Sequence, residues 1–342
     1  MILIVTHSLN GTGAPRVAVN MANALSEVTN VTVLNMNADH EELKRDLLPS
    51  VTVFSFDLTP TSLVHQLISS GSRRLGLRST LRQIFFDSLL RQQRPSLVIF
   101  NTMYHSELQR VCDRFEVPSI RYLHEDIYLE GLRPLEIREL NRASCVLGCS
   151  TSVVNSARKM GIKVEVDILP PSHIKKGALA SNFGTRTPKK SVVCVGSGGF
   201  RKGADYASAF SVRNPSIEVH WFGELEVSYE GVIDHGMVSE VPYETFSHFF
   251  LLSRNDPYGL AAIEALDSGL TVIGWDHLDL IDHLGSRGIG YGVPEGDLVT
   301  LEHAFYSIVH KESRDLIDEF LLEISPPMLY GRKLWEIIQS LT

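Results

Sequence analysis

Two carboxylates, Asp256 and Glu264, stand eight positions apart in Asp256-Pro-Tyr-Gly-Leu-Ala-Ala-Ile-Glu264, with Pro257 and Gly259 interrupting the chain just ahead of an apolar helical run. Proline suits the first turn of a helix and glycine breaks its interior, so the two fall on different elements, Asp256 on a loop and Glu264 about two turns up the helix. The first N–H groups of a helix have no partner within it. Those of Tyr258, Gly259 and Leu260 are therefore expected to point outward, free to hold a phosphate. Carboxylates beside such a phosphate accept from sugar hydroxyls, and the combination describes a site for a sugar nucleotide. Phe249-Phe-Leu-Leu-Ser253 and Thr271-Val-Ile-Gly274 read as buried strands before and after, which puts the site at a carboxyl strand end, where open α/β sheets bind ligands.

A second anion candidate is Val195-Gly-Ser-Gly-Gly-Phe-Arg-Lys-Gly203, where Gly198 and Gly199 let backbone N–H groups approach a phosphate and Arg201 and Lys202 add charge. Glycine at a tight β–α turn also serves geometry alone. A third loop, Asn10-Gly-Thr-Gly-Ala-Pro-Arg16, joins the first strand to an apolar-faced helix, Val17–Leu25. Its Gly11, Gly13 and Arg16 do not complete G-x-G-x-x-G, and no acid ends the strand Val31–Leu34 to hold an adenosine ribose, which speaks against a dehydrogenase. Arg121-Tyr-Leu-His124-Glu125-Asp126 delivers an imidazole and two carboxylates at a strand end, although Glu125 and Asp126 equally suit a helix cap. Asn101 and Thr102, after Leu97–Phe100, belong to the same edge.

The elements that position these residues alternate. Ile2–Thr6, Val31–Leu34, Val51–Ser55, Leu97–Phe100, Ser119–Leu123 and Val146–Gly148 read as strands in the first half; Val192–Val195, Ile217–Trp221, Val232–His235, Phe249–Leu252, Thr271–Gly274 and Ile289–Tyr291 do so in the second. Strands separated by helical stretches signal βαβ units and parallel sheets. The breaker-rich stretch 171–190 marks a linker. With 342 residues and 44% hydrophobic content the chain can form two ordinary cores. Four cysteines with no C-x2-C pair favour a reducing compartment, and no apolar run reaches the ~18 residues of a membrane span, so a cytoplasmic protein is expected. A net charge of −8 argues against nucleic acid as a partner. Arg73 to Arg94 carries six arginines and one acid at helical spacing, which suits either an anionic membrane surface or a solvated crossover helix.

Ser253 to Ala265, followed by Gly269-Leu-Thr-Val-Ile273, resembles the E-x7-E signature of retaining GT-B glycosyltransferases of the family 4 group, with Asp256 where that family has Glu. Lys202-Gly203 matches the family's K-G, whose basic residues grip the donor diphosphate; Ser197 stands at the family's Arg position, leaving Arg201 to substitute. Asn10–Arg16 resembles the G-G-A loop. Gly13 matches its second glycine, and the first is replaced by Thr12 or supplied by Gly11. His124 resembles the strand-end histidine that contacts the donor sugar.

The resemblance implies an α/β GT-B fold, two Rossmann-like domains with parallel sheets facing a central cleft. Residues 1–170 would bind the acceptor and 191–325 the nucleotide sugar, with 171–190 as linker and 326–342 as a helix packing back on the N-terminal domain. It implies retention at the anomeric carbon, with a phosphate oxygen taking the acceptor's proton and no protein nucleophile. Lys202, Arg201, Glu264, Asp256 and His124 form the expected catalytic set, Glu264 holding the ribose and Asp256 the donor sugar. Thr12, Gly13, Gly198, Gly199, Tyr258, Gly259 and Leu260 are the expected donor contacts, and Asn101, Thr102, Glu125 and Asp126 the acceptor-side candidates. The sequence has no D-x-D pair, so no metal is expected. Nor is any cofactor expected beyond a nucleotide-diphosphate sugar, taken as a UDP-sugar. The implied acceptor is a glycan or a lipid-linked molecule of cell-surface polysaccharide synthesis, with membrane contact through Arg73–Arg94. A non-catalytic nucleotide-sugar or glycan-binding partner of a synthase complex, or a GT-B sugar-nucleotide epimerase, fits the same motifs.

Overall fold

The computed structural model describes residues 1–38, 40–56, 77–124, 134–172, 190–238, 240–307, 314–324 and 327–342, without the side chains of residues 77 and 78. The chain divides into two compact units, Met1–Ser172 with Pro327–Thr342, and His173–Pro326.

The first unit begins β1 (Ile2–Thr6), α1 (Gly13–Ser26), β2 (Val31–Asn35), β3 (Thr52–Ser55), α2 (Leu77–Gln93), β4 (Leu97–Phe100) and α3 (Gln109–Arg114). It continues through β5 (Ser119–Leu123), α4 (Pro134–Leu140), β6 (Cys145–Gly148), α5 (Thr151–Lys159) and β7 (Val166–Ile168). The second unit starts with β8 (Ser191–Val195), α6 (Ala204–Arg213), β9 (Glu218–Phe222), β10 (Val232–Asp234), β11 (His248–Leu251) and α7 (Leu260–Asp267). It ends with β12 (Thr271–Trp275), α8 (Asp279–Ser286), β13 (Tyr291–Val293), α9 (Leu298–Ser307) and α10 (Arg314–Glu323). The final helix, α11 (Pro327–Leu341), belongs to the first unit, where it lies against α1 so closely that a Cβ on Gly331 would be 3.2 Å from that of Ala24.

Every strand pairs in parallel, in the orders β3-β2-β1-β4-β5-β6-β7 and β10-β9-β8-β11-β12-β13. Central strands covered by helices on both faces must be apolar throughout, and β1 and β4 are buried at every residue. Both sheets are doubly wound: the chain runs outward from β1 to β3 and then returns to β4 on β1's other side, and it repeats this from β8 to β10 and β11. Each sheet thus has one reversal, β1 beside β4 and β8 beside β11, and the connections leaving those two strands in opposite directions leave a crevice at their carboxyl ends.

Most strand ends fall within one residue of the sequence reading, and three differences are larger. β7 escapes notice because it is a three-residue edge strand with a half-buried to exposed pattern. The last strand is Tyr291–Val293 rather than Ile289–Tyr291, because Gly290 and Ile289 form its approach, with Ile289 N–H bonded to the Leu284 carbonyl. The first helix starts at Gly13, four residues before Val17, so Gly13 to Arg16 are helical and not loop, Pro15 sitting in the first turn, where its missing N–H is not needed. Most of the linker 171–190 lies outside the described residues. Among the described residues no helix is long and apolar enough to cross a membrane.

Candidate functional site

In the second unit the two anion candidates leave adjacent strands, the glycine turn from β8 and the Asp256 loop from β11, so the strand reversal brings them together. Two buried tryptophans fix these exits. The Trp221 indole N–H donates to the Gly196 carbonyl at 2.9 Å and that of Trp275 to the Leu252 carbonyl at 2.8 Å. An indole body in the core with its N–H bonded outward ties a loop's backbone to the packing of the sheet. Gly203 closes the turn at φ +83°, and a Cβ there would stand 2.1 Å from the Leu252 carbonyl oxygen, so only glycine lets the two exits approach this closely.

Lys202 and Asp256 form an ion pair, Nζ to Oδ2 2.6 Å, with side chains only 16% and 13% exposed. The other Asp256 oxygen accepts the N–H of Gly259 at 2.7 Å and of Tyr258 at 3.3 Å, and Ser253 Oγ approaches Oδ2 at 3.4 Å. Burial is the largest influence on this carboxyl and opposes its ionisation. The Lys202 charge, the Lys202 hydrogen bond and the two amides together outweigh burial and hold its pKa below the ordinary carboxylate value.

Here the structure corrects the expectation of free amides. Tyr258 and Gly259 serve Asp256, α7 begins only at Leu260, and Pro257 precedes that helix by three residues. The amides that open the helix without a bonded acceptor among the described residues are those of Leu260 and Ala261. Gly259 caps them at φ +74°, where a Cβ would meet Leu280 Cδ2 at 2.7 Å. Glu264 sits half-buried one turn further, its Oε2 accepting from Tyr243 Oη at 3.1 Å.

Arg254, which sequence reasoning missed, holds the glycine turn in place. Its guanidinium makes a two-pronged pair with Asp205 at 2.8 and 2.6 Å, donates to the Phe200 carbonyl, and lies 3.7 Å over the Phe200 ring and 4.4 Å over Tyr206. Its own N–H bonds the Arg201 carbonyl at 3.1 Å. Partners some fifty residues away in sequence leave no local signal for such a clamp. Arg201 itself is exposed and in no ion pair among the described residues. Gly198 and Gly199 turn at φ +93° and +24°, and Ser197 points at Met237, Oγ to Sδ 3.7 Å.

The first unit has its own reversal, and Asn101 occupies it. Asn101 is fully buried after β4; its Nδ2 donates to the Ala14 carbonyl at 2.7 Å and its Oδ1 faces His124 Nε2 at 2.9 Å. Because the amide nitrogen is committed to a carbonyl, Oδ1 must accept, so Nε2 of His124 carries the proton and Nδ1 is the ring's acceptor. Burial, aided by His7, drives the His124 pKa down to about 3, so the imidazole is neutral at any ordinary pH. Its ring packs on Tyr122 at 4.3 Å. Thr102 is buried and accepts the Tyr104 N–H at 3.2 Å, a turn-forming contact. Thr12, exposed, precedes α1 and donates to Asn10 Oδ1 at 2.6 Å. Glu125 and Asp126 lie outside the described residues, as do Arg73 and Arg74 of the basic stretch. Within α2, Arg91 pairs with Asp87 at 2.7 Å and lies over the Phe115 ring.

No known protein family matches the chain, and no curated protein does. Among solved structures it is similar along its length to HepE from Anabaena in complex with UDP and glucose, with a TM-score of 0.73, 15% identity and 99% of both chains covered. It is likewise similar to a sucrose-phosphate synthase from Thermosynechococcus elongatus, with a TM-score of 0.77, 15% identity, and 99% and 98% covered. The lipopolysaccharide outer core galactosyltransferase WaaB gives 0.71 at 13% identity, covering 100% of this chain and 99% of that one. The fold shared with these proteins is GT-B.

Proposed function

We propose that this chain transfers a sugar from a nucleoside diphosphate sugar, a UDP-sugar in the first instance, to a glycan or lipid-linked acceptor, with retention at the anomeric carbon and without a metal. The observation that carries the reading is the meeting of a glycine turn and a helix N-terminus at the β8–β11 reversal, with Lys202 between them. In this reading the diphosphate lies against the amides of Gly199, Leu260 and Ala261, since the Gly198 N–H already donates to the Glu224 carbonyl at 3.2 Å. Lys202 has three N–H donors and commits one to Asp256, so two remain for phosphate oxygens, with exposed Arg201 alongside. One preorganised donor aimed at developing charge contributes about 3 kcal/mol to such a step. Glu264, steadied by Tyr243, takes the ribose; Asp256 orients Lys202 and faces the donor sugar; neutral His124, held by Asn101, offers a sugar contact. The acceptor's proton passes to a diphosphate oxygen, and no side chain attacks carbon. The neighbours in complex with UDP and with glucose support the choice of donor class. The reading includes the basic stretch Arg73–Arg94 as a contact for an anionic membrane, tested by flotation with acidic liposomes after arginine-to-glutamate exchange.

A thermal-shift series with UDP, GDP, ADP and dTDP tests the reading. A ligand at a hundred times its Kd stabilises by about 2.7 kcal/mol, and UDP is expected to give the largest shift. No response to any of the four would remove the proposal. One observation favours a second reading, a non-catalytic nucleotide-sugar binder: both Asp256 oxygens are engaged within the unit. Turnover of a sugar nucleotide supports the enzyme, and saturable binding without turnover supports the binder.

A further inference from the structure

Arg254 ties the glycine turn to the Asp256 loop through its side chain and its N–H, and its carbonyl is held from a third direction. His277 Nε2 lies 3.2 Å from the Arg254 carbonyl oxygen. A carbonyl can only accept, so Nε2 carries the proton and donates; no backbone N–H among the described residues competes for that oxygen. Asp256 follows two residues later, so the bond pins the peptide that leads into the partner of Lys202.

The imidazole is itself held. β12 ends at Trp275, whose indole already anchors the β11 exit at Leu252. The turn that follows is closed by the Asp276 N–H on the Val293 carbonyl at 2.9 Å and by the Leu278 N–H on the Trp275 carbonyl at 3.1 Å, and His277 stands in its middle. On the other side of the imidazole, Nδ1 faces Glu295 Oε2 at 3.8 Å, an ion pair whenever the ring is protonated. Glu295, two residues beyond β13, accepts from Tyr206 Oη at 3.2 Å with its other oxygen. The Tyr206 ring leads back to Arg254, lying 4.4 Å from the guanidinium and edge-on to Trp275 at 5.0 Å. The exits of β11, β12 and β13 and the first turn of α6 thus form a closed circuit: carbonyl to His277, His277 to Glu295, Glu295 to Tyr206, Tyr206 to the guanidinium.

The His277 and Glu295 side chains are 40% and 38% exposed, so burial gives them little weight in folding, and an exposed ion pair adds little more. What they supply is position. We propose that His277 is a positioning residue for the nucleotide seat: with Glu295 and Tyr206 behind it, it fixes the Arg254 peptide and so the spacing of the glycine turn from the Asp256 loop. This rests on the transfer reading, which puts the diphosphate between those two loops. With the peptide released, the amides of Gly199 and Leu260 no longer meet one diphosphate at the same time.

The test is calorimetric titration of the full chain with UDP, beside amide exchange of the nucleotide-free protein. His277→Ala should weaken UDP roughly fivefold, the loss of one hydrogen bond, with the fold intact, and should speed exchange of the Arg254 amide, which bonds the Arg201 carbonyl, by about as much. His277→Leu, which keeps bulk without a donor, should behave like the alanine variant, whereas His277→Gln, whose amide donates to the same carbonyl, should recover UDP affinity to within about twofold. Glu295→Gln still accepts from Tyr206 but loses the charge opposite His277; it should cost about twofold alone and nothing further when added to His277→Ala. UDP affinity or Arg254 exchange unchanged in His277→Ala, or equal losses in the Gln and Leu variants, would overturn the proposal, while UDP binding by the wild type leaves the transfer reading standing. A wild type that binds no UDP removes the transfer reading and with it the seat that His277 positions, a failure seen before any variant is made.

Discussion

Replacing Asp256 by asparagine removes a charge while changing almost no volume, so its effect can be worked out from the contacts. Asparagine keeps an oxygen for the Gly259 amide, which preserves the turn bond, but puts an NH2 where Oδ2 met the Lys202 ammonium at 2.6 Å. Breaking a buried pair by removing one partner costs about 3–5 kcal/mol. Lys202 retains 16% exposure and can turn partly to water, so the low end applies, about 3 kcal/mol. For a unit of this size that is a fall in Tm of roughly 6–12 °C. Asp256→Ala additionally strips the Tyr258 and Gly259 amides of their acceptor and should lose about 1 kcal/mol more. Urea unfolding followed by indole fluorescence measures it, since Trp221 and Trp275 both report on this unit. The sign with pH is fixed as well. The folded carboxyl titrates below its ordinary value, so the wild-type advantage is complete above that value and vanishes as acid protonates the folded form. A loss below about 1 kcal/mol in Asp256→Asn at neutral pH would refute the buried-pair reasoning.

Three further outcomes are expected. Gly203→Ala forces a Cβ against the Leu252 carbonyl at a left-handed φ and should destabilise the second unit by more than about 3 kcal/mol; a loss under 1 kcal/mol in the same urea experiment would contradict the approach of the two strand exits. Arg254→Lys gives up the two-pronged pair and both ring contacts, so UDP affinity should fall roughly tenfold through a displaced glycine turn, and an unchanged Kd would deny Arg254 its positioning role. His124 has its pKa lowered from 6.5 to about 3, so the unfolded chain takes up the proton first and stability drains as pH falls through that window, by up to about 5 kcal/mol; His124→Gln should flatten that part of the profile, and an identical profile would contradict the buried neutral imidazole.

The repeating alternation of strand and helix was legible because parallel strands buried on both faces are continuous apolar runs, as in Leu97–Phe100 and Phe249–Leu252. The elements that slipped were those with little burial to announce them, β7 on a sheet edge and the short β13. The two anion loops could be read from glycine and proline alone, yet their pairing across the sheet depends on strand order, which no local pattern encodes. The Asp256 turn did leave a signal: an aspartate two and three residues ahead of Tyr258 and Gly259 is the spacing of a side chain that captures the amides of the turn following it, and reading those amides as free overlooked it. Arg254, Asp205 and Tyr243 left none, because their partners lie far off in sequence.

The central claim, a nucleoside diphosphate seated at the β8–β11 reversal, is tested most directly by amide hydrogen exchange with and without saturating UDP. The account predicts that protection rises in the turn from Gly196 to Gly203 and in the first turn of α7 from Leu260, and that Lys202→Ala, still folded, loses that protection. Protection confined to other segments, or unchanged exchange at both of these while UDP is bound, would contradict it.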